Sequence, residues 1–341
     1  MSVPKRRAVH VSYDCRHGAA LLQMLHHVGL CMNLLRCPQC GTGFERPTAE
    51  PEITCVQGHS FPVVNGIPRF QVAASVTPAK ALASFNFQYG RYPWIYDYDR
   101  RRARWIFSEI FGIDRSDIVG KAVCVVGCGN GCEVAAMTDH DPAAVVGFDL
   151  TDSIEDAARN IGDAANVQVA QADALSPPVA AGGFDVVYSD GVMPHASDPV
   201  GFLRSAHSLV APEGVLFLRT LVDHPGDARW TQLPRRMIRA VSSRLPSLLW
   251  WHLCFVIACL IKVPGLGKLL TRGMFYIDRE TDSSIRSIQL MNFRRFGDHA
   301  FRHRMSAEQI RDVLTATTPD GTISINGPVV VVDRRPSASA S

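Results

Sequence analysis

The run "VCVVGCGNGCEV" (residues 123–134) restricts the chain more than any other stretch. It places glycines at 127, 129 and 131 between a short apolar strand and a helix-compatible segment. Glycine permits a sharp turn there and lets the backbone approach a ligand with no Cβ in the way. Strand, glycine turn and helix in that order make a nucleotide-type binding corner in an α/β fold. Asp149, closing "AVVGFDL" about 20 residues after the loop, supplies a carboxylate able to accept both hydroxyls of a ribose. A dinucleotide fingerprint wants its third glycine one place later, where Cys132 stands, so the spacing favours an adenosine carrying no phosphate. Asp173, in "VQVAQADAL" after the next strand, is placed to accept the adenine amino group or, equally, to cap a helix.

The apolar runs "AVCVVG", "AVVGFDL", "VQVAQAD", "FDVVYSD", "GVLFLRT", "TISIN" and "VVVVDRR" alternate with helix-compatible stretches, the rhythm of a doubly wound, largely parallel sheet. A length of 341 residues leaves room for a second, smaller module. With 35 basic against 32 acidic residues the net charge is only +3, which argues against binding nucleic acid over the whole surface. Ten unevenly spaced cysteines do not make a disulfide scaffold and point to a reducing, cytoplasmic setting. The start imitates a secretion signal, with Lys5, Arg6 and Arg7 before "AALLQMLHHVGLC", but two histidines break that run and no small-residue cleavage site follows. Residues 1–31 therefore read as a poorly ordered leader, with Met32 as an alternative start to Met1.

Together with "GGFDVVYSDGVMPHASDP" and "LVAPEGVLFL", these motifs make the chain resemble the class I S-adenosylmethionine-dependent methyltransferases over roughly residues 85–335. The resemblance implies a Rossmann-like seven-stranded α/β sheet binding S-adenosyl-L-methionine. Gly127, Gly129 and Gly131 would wrap the cofactor's amino-acid part, Asp149 would hold its ribose, Asp173 with Ala174 would recognise its adenine, and Leu150 is a further cofactor-binding candidate. Asp190 would face the transferable methyl group. His195, in "VMPHASDP", is placed to take a proton from a hydroxyl acceptor or simply to shape its loop, and Asp190 is the second candidate base. The aromatic segment from Phe85 to Tyr98 resembles the helix that such enzymes lay over the cofactor. Phe87, Gln88, Tyr89 and Arg91 are its contact or lid candidates, with packing the expected role for most of the aromatics. The pattern departs at Val125, where many members carry an acidic residue.

Ahead of this core, Cys37 and Cys40 form a C-x2-C knuckle, and Cys55 with His59 forms a C-x3-H half-site after 14 intervening residues. Four such ligands suit structural, tetrahedral Zn2+, the alternative being free buried thiols. The segment resembles the small zinc activator of tRNA and protein methyltransferases and the ribbon of large-subunit rRNA guanine methyltransferases. Cys124, Cys128 and Cys132 read as small packing residues of the loop.

The expected organisation is a leader at 1–31, a zinc ribbon at 32–71, a linker and lid helices at 72–120, a core at 121–220 and 305–335, and a helical cap insertion at 221–304. Residues 231–305 hold 13 Lys or Arg against four Asp or Glu. Their centre, Leu248 to Ile261, is apolar but for His252 and too short to span a bilayer. It reads as a buried cap helix, an interfacial helix making peripheral membrane contact through 246–270, or an RNA platform. Arg294, Arg295, Arg302 and His303 are candidates for an anionic acceptor. The leading expectation is methyl transfer to a small-molecule or lipid- or sugar-linked acceptor. The alternatives are an rRNA or tRNA methyltransferase and a non-catalytic zinc-ribbon interaction protein.

Overall fold

The alternation of side chains along strands β4 (Ala122–Val126), β5 (Ala144–Asp149) and β7 (Phe184–Asp190) organises the molecule. Cys124, Val126, Val146 and Val187 enter one apolar layer, while Val123, Val125, Val145 and Val186 enter the opposite one. A strand buried on both faces needs helices on both, which is why these segments read as continuous apolar runs. The computed structural model describes residues 31–45, 51–70, 79–223, 229–272, 274–297, 303–317 and 321–336. The expected leader lies outside the described residues apart from Cys31, and so does the acceptor candidate Arg302.

The main sheet has seven strands in the order β11-β12-β8-β7-β4-β5-β6. Here β6 is Val167–Gln171, β8 Val210–Arg219, β11 Thr322–Asn326 and β12 Val329–Asp333. The five strands from β6 to β8 are parallel and the last two antiparallel. The chain runs from β4 outward through β5 to β6, then returns to place β7 on the other side of β4. That reversal opens a crevice at the carboxyl ends of β4, β5 and β7, where α/β sheets bind ligands.

A small antiparallel sheet, β1 (Glu52–Thr54), β2 (Ser60–Val64) and β3 (Ile67–Pro68), carries the cysteine ribbon. It is fused to the main sheet rather than tethered. Phe70 donates its backbone N–H to the Gln171 carbonyl at 2.8 Å, and Arg69 bridges β6 in parallel fashion while its side chain pairs with Glu155. The exposed edge of β6 is thereby covered. Phe44, Phe61 and Phe70 pack on one another, edge to face or tilted, and join the same apolar layer as Phe148 and Ala170.

Helices α1 (Ala79–Gly90) and α2 (Pro93–Trp105) precede β4, and α2 packs on α4 (Cys132–Thr138), which follows the short α3 (Arg115–Ile118). Helices α5 (Ile154–Ile161) and α6 (Pro199–Ser208) follow β5 and β7. Beyond β8 and the short β9 (Val222–Asp223) comes the helical insertion: α7 (Arg229–Ser242), α8 (Ser247–Ile261), α9 (Leu266–Thr271) and α10 (Ile285–Phe296). The short β10 (Met305–Ser306) and α11 (Ala307–Thr315) return the chain to the main sheet. Trp250, Trp251 and Cys254 of α8 pack with Leu290, Phe293 and Phe296 of α10 and with Ile95 and Tyr98 of α2. The cap therefore reaches the crevice through α10. The reading of Leu248–Ile261 as a buried helix holds for one face only, because α10 and α2 cover only that side.

Phe70 is the joint between ribbon and sheet and is 1% exposed. Phe70→Ala is expected to lower unfolding free energy by about 3–5 kcal/mol, read as a lower urea midpoint at unchanged m-value. A loss under about 1 kcal/mol would show the two sheets to be energetically separate.

Candidate functional site

The loop after β4 folds as it does because all three glycines take left-handed φ values: 74° at Gly127, 51° at Gly129 and 80° at Gly131. A Cβ at Gly127 would overlap Val192, and one at Gly131 would lie 3.0 Å from Ala157. The backbone N–H groups of Gly127 and Cys128 donate to the Phe148 carbonyl of β5, at 2.8 and 3.1 Å. Asp149 completes the brace. Its Oδ2 accepts from the Gly129 N–H at 2.8 Å, and its Oδ1 from the Thr151 N–H and hydroxyl at 2.8 and 2.6 Å. Burial pushes the Asp149 carboxyl above its usual range in spite of these donors.

Above this brace lies a cleft of about 820 Å³, counting its open mouth. Tyr89, Gly127, Asp149, Leu150, Asp173, Ala174, Asp190 and His195 all line it. Gly129 and Gly131 stand behind the lining: the Tyr89 ring lies over Gly129, and Gly131 abuts α5. Asp173 Oδ1 accepts from the Leu175 N–H at 2.9 Å, a local turn bond of the kind a cap residue makes, while the residue still faces the cleft. His195, in a single 3₁₀ turn at Met193–His195, packs edge to face on Phe85 with ring centroids 5.4 Å apart.

A second chamber of about 1240 Å³, again counting its mouth, adjoins the first and shares Phe85, Tyr89, Asp190, Gly191 and His195 with it. Its walls are charged. Arg219 donates to Asp190 at 2.6 Å, and Arg294 grips Asp99 with two bonds of 2.5 and 2.8 Å. Asn130 of the glycine loop also donates to Asp99, at 3.0 Å, and Arg102 pairs with Asp278 at 3.0 Å. Glu133, in the first turn of α4, faces the chamber and accepts from the Cys132 thiol at 2.9 Å. Burial above all, then the carboxylates of Asp190 and Asp99, push Glu133 up to about 7 against that hydrogen bond.

Of the lid candidates, Gln88 and Tyr89 reach the chambers. Phe87 packs on Phe293 and Trp251 of the cap, and the Arg91 guanidinium lies over Phe87 at 5.0 Å. Arg294 and Arg295 line the second chamber, while His303 donates its backbone N–H to the Pro194 carbonyl. Cys124, Cys128 and Cys132 are buried, and burial raises all three thiols. Sequence reading missed Glu133, Arg219 and Asp99. Glu133 sits inside the quoted glycine motif, whereas Asp99 meets Arg294 across 195 residues, a pairing that leaves no local trace.

In the ribbon, the ligand atoms of Cys37, Cys40, Cys55 and His59 all lie within 4.8 Å of one another. Cys40 and Cys55 sulfurs are 3.7 Å apart, and His59 Nδ1 lies 3.7 Å from Cys37 and 3.4 Å from Cys55. A tetrahedral zinc with bonds of about 2.0–2.3 Å has ligand–ligand edges of roughly 3.5–3.8 Å. The set fits that ion.

Residues 124–218 match the family model described as a methyltransferase domain. Among curated proteins the chain is similar to the ubiquinone biosynthesis O-methyltransferase of Pseudomonas paraeruginosa (strain DSM 24068 / PA7). Identity is 31% over 135 residues, 38% of this chain and 55% of the relative. It is also similar to the tRNA U34 carboxymethyltransferase of Campylobacter concisus (strain 13826), with 32% identity over 114 residues, 33% of this chain and 39% of that one. The chain thus spans about half or less of the length of these relatives. Among solved structures, an S-adenosylmethionine-dependent methyltransferase from Mesorhizobium loti is 24% identical, with a TM-score of 0.29 over 31% of this chain and 49% of that one.

The raised Glu133 carboxyl sets a pH signature. Between its ordinary pKa of 4.5 and about 7, the unfolded chain ionises while the folded one holds its proton. Stability of the ligand-free protein therefore falls as pH rises through that window, by at most about 3 kcal/mol. Glu133→Gln is expected to flatten that fall, measured by urea midpoints at about pH 4.5 and 7.5; equal slopes in both proteins would refute the assignment.

Proposed function

We propose, from the match of residues 124–218 to the methyltransferase-domain model, that the chain binds S-adenosyl-L-methionine in the cleft over the glycine loop. It passes the methyl group to a small-molecule or lipid- or sugar-linked acceptor in the second chamber. The observation that carries this reading is the junction of the two chambers at Asp190, Gly191 and His195. Methyl transfer from a sulfonium is an in-line displacement, so nucleophile, methyl and sulfur must meet on one line, and alignment in a dry site supplies several kcal/mol, on the order of 7–11 at best. Two adjoining cavities with one shared wall support that arrangement. The glycine loop and Asp149 hold the nucleoside side, and Tyr89 closes over the loop.

His195 is the proton acceptor in this scheme. Asp190 is bonded to Arg219, which fits it better for orienting than for taking a proton. The ribbon holds one zinc ion through Cys37, Cys40, Cys55 and His59. That ion has no open position and serves stability, because the ribbon is too small to fold on its own core. An RNA acceptor is the second reading, supported by the basic insertion and by the name of the Campylobacter relative.

Incubation with methyl-labelled cofactor and fractionated cell extract is expected to put label into the small-molecule or lipid fraction; label confined to RNA would replace the leading reading with the second. Asp149→Ala should weaken cofactor binding by about tenfold or more. His195→Ala should leave cofactor affinity within about threefold and lower kcat by about a hundredfold or more. Unchanged turnover in the histidine variant would remove it from the chemistry.

Metal analysis should find one zinc per chain. Cys37→Ser should lower both bound zinc and Tm while kcat of the folded fraction stays close to that of the parent. Loss of turnover without loss of stability would contradict a structural role.

A further inference from the structure

Helix α8 is apolar on every side but for the exposed His252, yet only half of it is covered. Trp250, Trp251, Cys254, Ala258 and Ile261 are buried, at the spacing of one helical face. The opposite face carries Leu249, Leu253, Val256 and Leu260, each between 39% and 53% exposed, and Val263 continues the stripe at 47%. Leu266 and Leu269 extend the apolar surface into α9, the latter 62% exposed. A helix hydrophobic all round belongs in an apolar environment, and contiguous exposed apolar surface marks an interaction site.

Charge identifies the occupant. From Arg229 to Ile277 the chain has eight Lys or Arg and no Asp or Glu. Arg244 precedes the apolar stripe, and Lys262, Lys268 and Arg272 follow or interrupt it, all of them exposed. A second copy docked here would bring two cationic rims together, and an RNA backbone would gain nothing from leucines. An anionic lipid surface satisfies both halves of the pattern, acyl chains meeting the leucines and headgroups the lysines.

We infer that α8 and α9 form a docking surface for anionic membranes, lying in the interface rather than crossing it. The 15 residues of α8 measure about 22 Å at 1.5 Å per residue, short of a hydrocarbon core of about 30 Å. No helix among the described residues is long and apolar enough to cross a membrane. The buried face of α8 packs on α10, whose Met291, Arg294 and Arg295 line the second chamber, so a docked bilayer would lie one helix away from it. The inference stands on surface and charge alone and does not depend on the chemistry proposed above.

The test is co-sedimentation of the full chain with vesicles of phosphatidylcholine alone or mixed with phosphatidylglycerol. Binding is expected only to the mixed vesicles and to weaken as salt rises. Each basic residue at an anionic surface is worth about a factor of five in affinity, so Lys262→Glu with Lys268→Glu should reduce binding by about twentyfold or more. Leu253→Glu with Val256→Glu, both at exposed positions, should abolish it without moving Tm. No binding to either vesicle overturns the inference. So does binding that the leucine and valine substitutions leave intact, or a dimer in sedimentation velocity that those substitutions dissolve while vesicle binding is absent.

Discussion

The carboxylate of Asp149 holding the Gly129 N–H is the contact on which the crevice depends. Three residues in left-handed conformation within five positions would not stay open unaided, since an unanchored glycine loop has more backbone freedom than any other. Two kinds of bond fasten it to β5: the Phe148 carbonyl takes the N–H groups of Gly127 and Cys128, and Asp149 takes that of Gly129. Since burial raises the Asp149 carboxyl, the donors around it are what keep the ionised form tolerable. A ligand hydroxyl arriving at this carboxylate would share oxygens that already hold the loop, so binding and loop geometry are coupled through one side chain.

The elements added to the sheet work on opposite sides of that brace. The ribbon covers the edge of β6, the strand that leads to Asp173 and Ala174, and so fixes the far wall of the first cleft. The cap supplies α10, whose Arg294 reaches Asp99 on α2, while Asn130 of the glycine loop donates to the same carboxylate. Asp99 thus joins cap, lid helices and loop in a single network. In a low-dielectric interior such a network is worth most when every member is satisfied, because removing one partner leaves a buried charge exposed to its full desolvation cost.

Much of this was legible in the residue order. Seven short apolar runs announced the seven strands, glycine spacing marked the corner, and Cys37, Cys40, Cys55 and His59 showed their grouping by separation alone. Each of those signals is local: a short apolar run, a turn that only glycine makes, a four-ligand set. The second chamber was legible only in part: the sequence offers Asp190, Arg294 and Arg295 as candidates, but the pairings among α2, β7, β8 and α10 that set its charge are made only by the fold. Helix α8 shows the same limit from the other direction. Fourteen residues with one histidine look alike whether one face is covered or two, and burial of Trp251 against exposure of Val256 is decided by where α10 lies.

The pairing of charges around the second chamber also constrains what it can accept. Arg219, Arg294 and Arg102 are each held by a carboxylate, on Asp190, Asp99 and Asp278, so these guanidiniums offer fixed donors rather than surplus charge. A sulfonium cation bound as proposed in the first cleft would add positive charge close to Asp190, and Glu133, whose carboxyl burial pushes up to about 7, would be able to respond by releasing its proton. Ionisation of Glu133 would offset that added charge before any acceptor arrives. Recognition there would draw on the directions of the arginine N–H groups, which suits an acceptor rich in oxygen lone pairs.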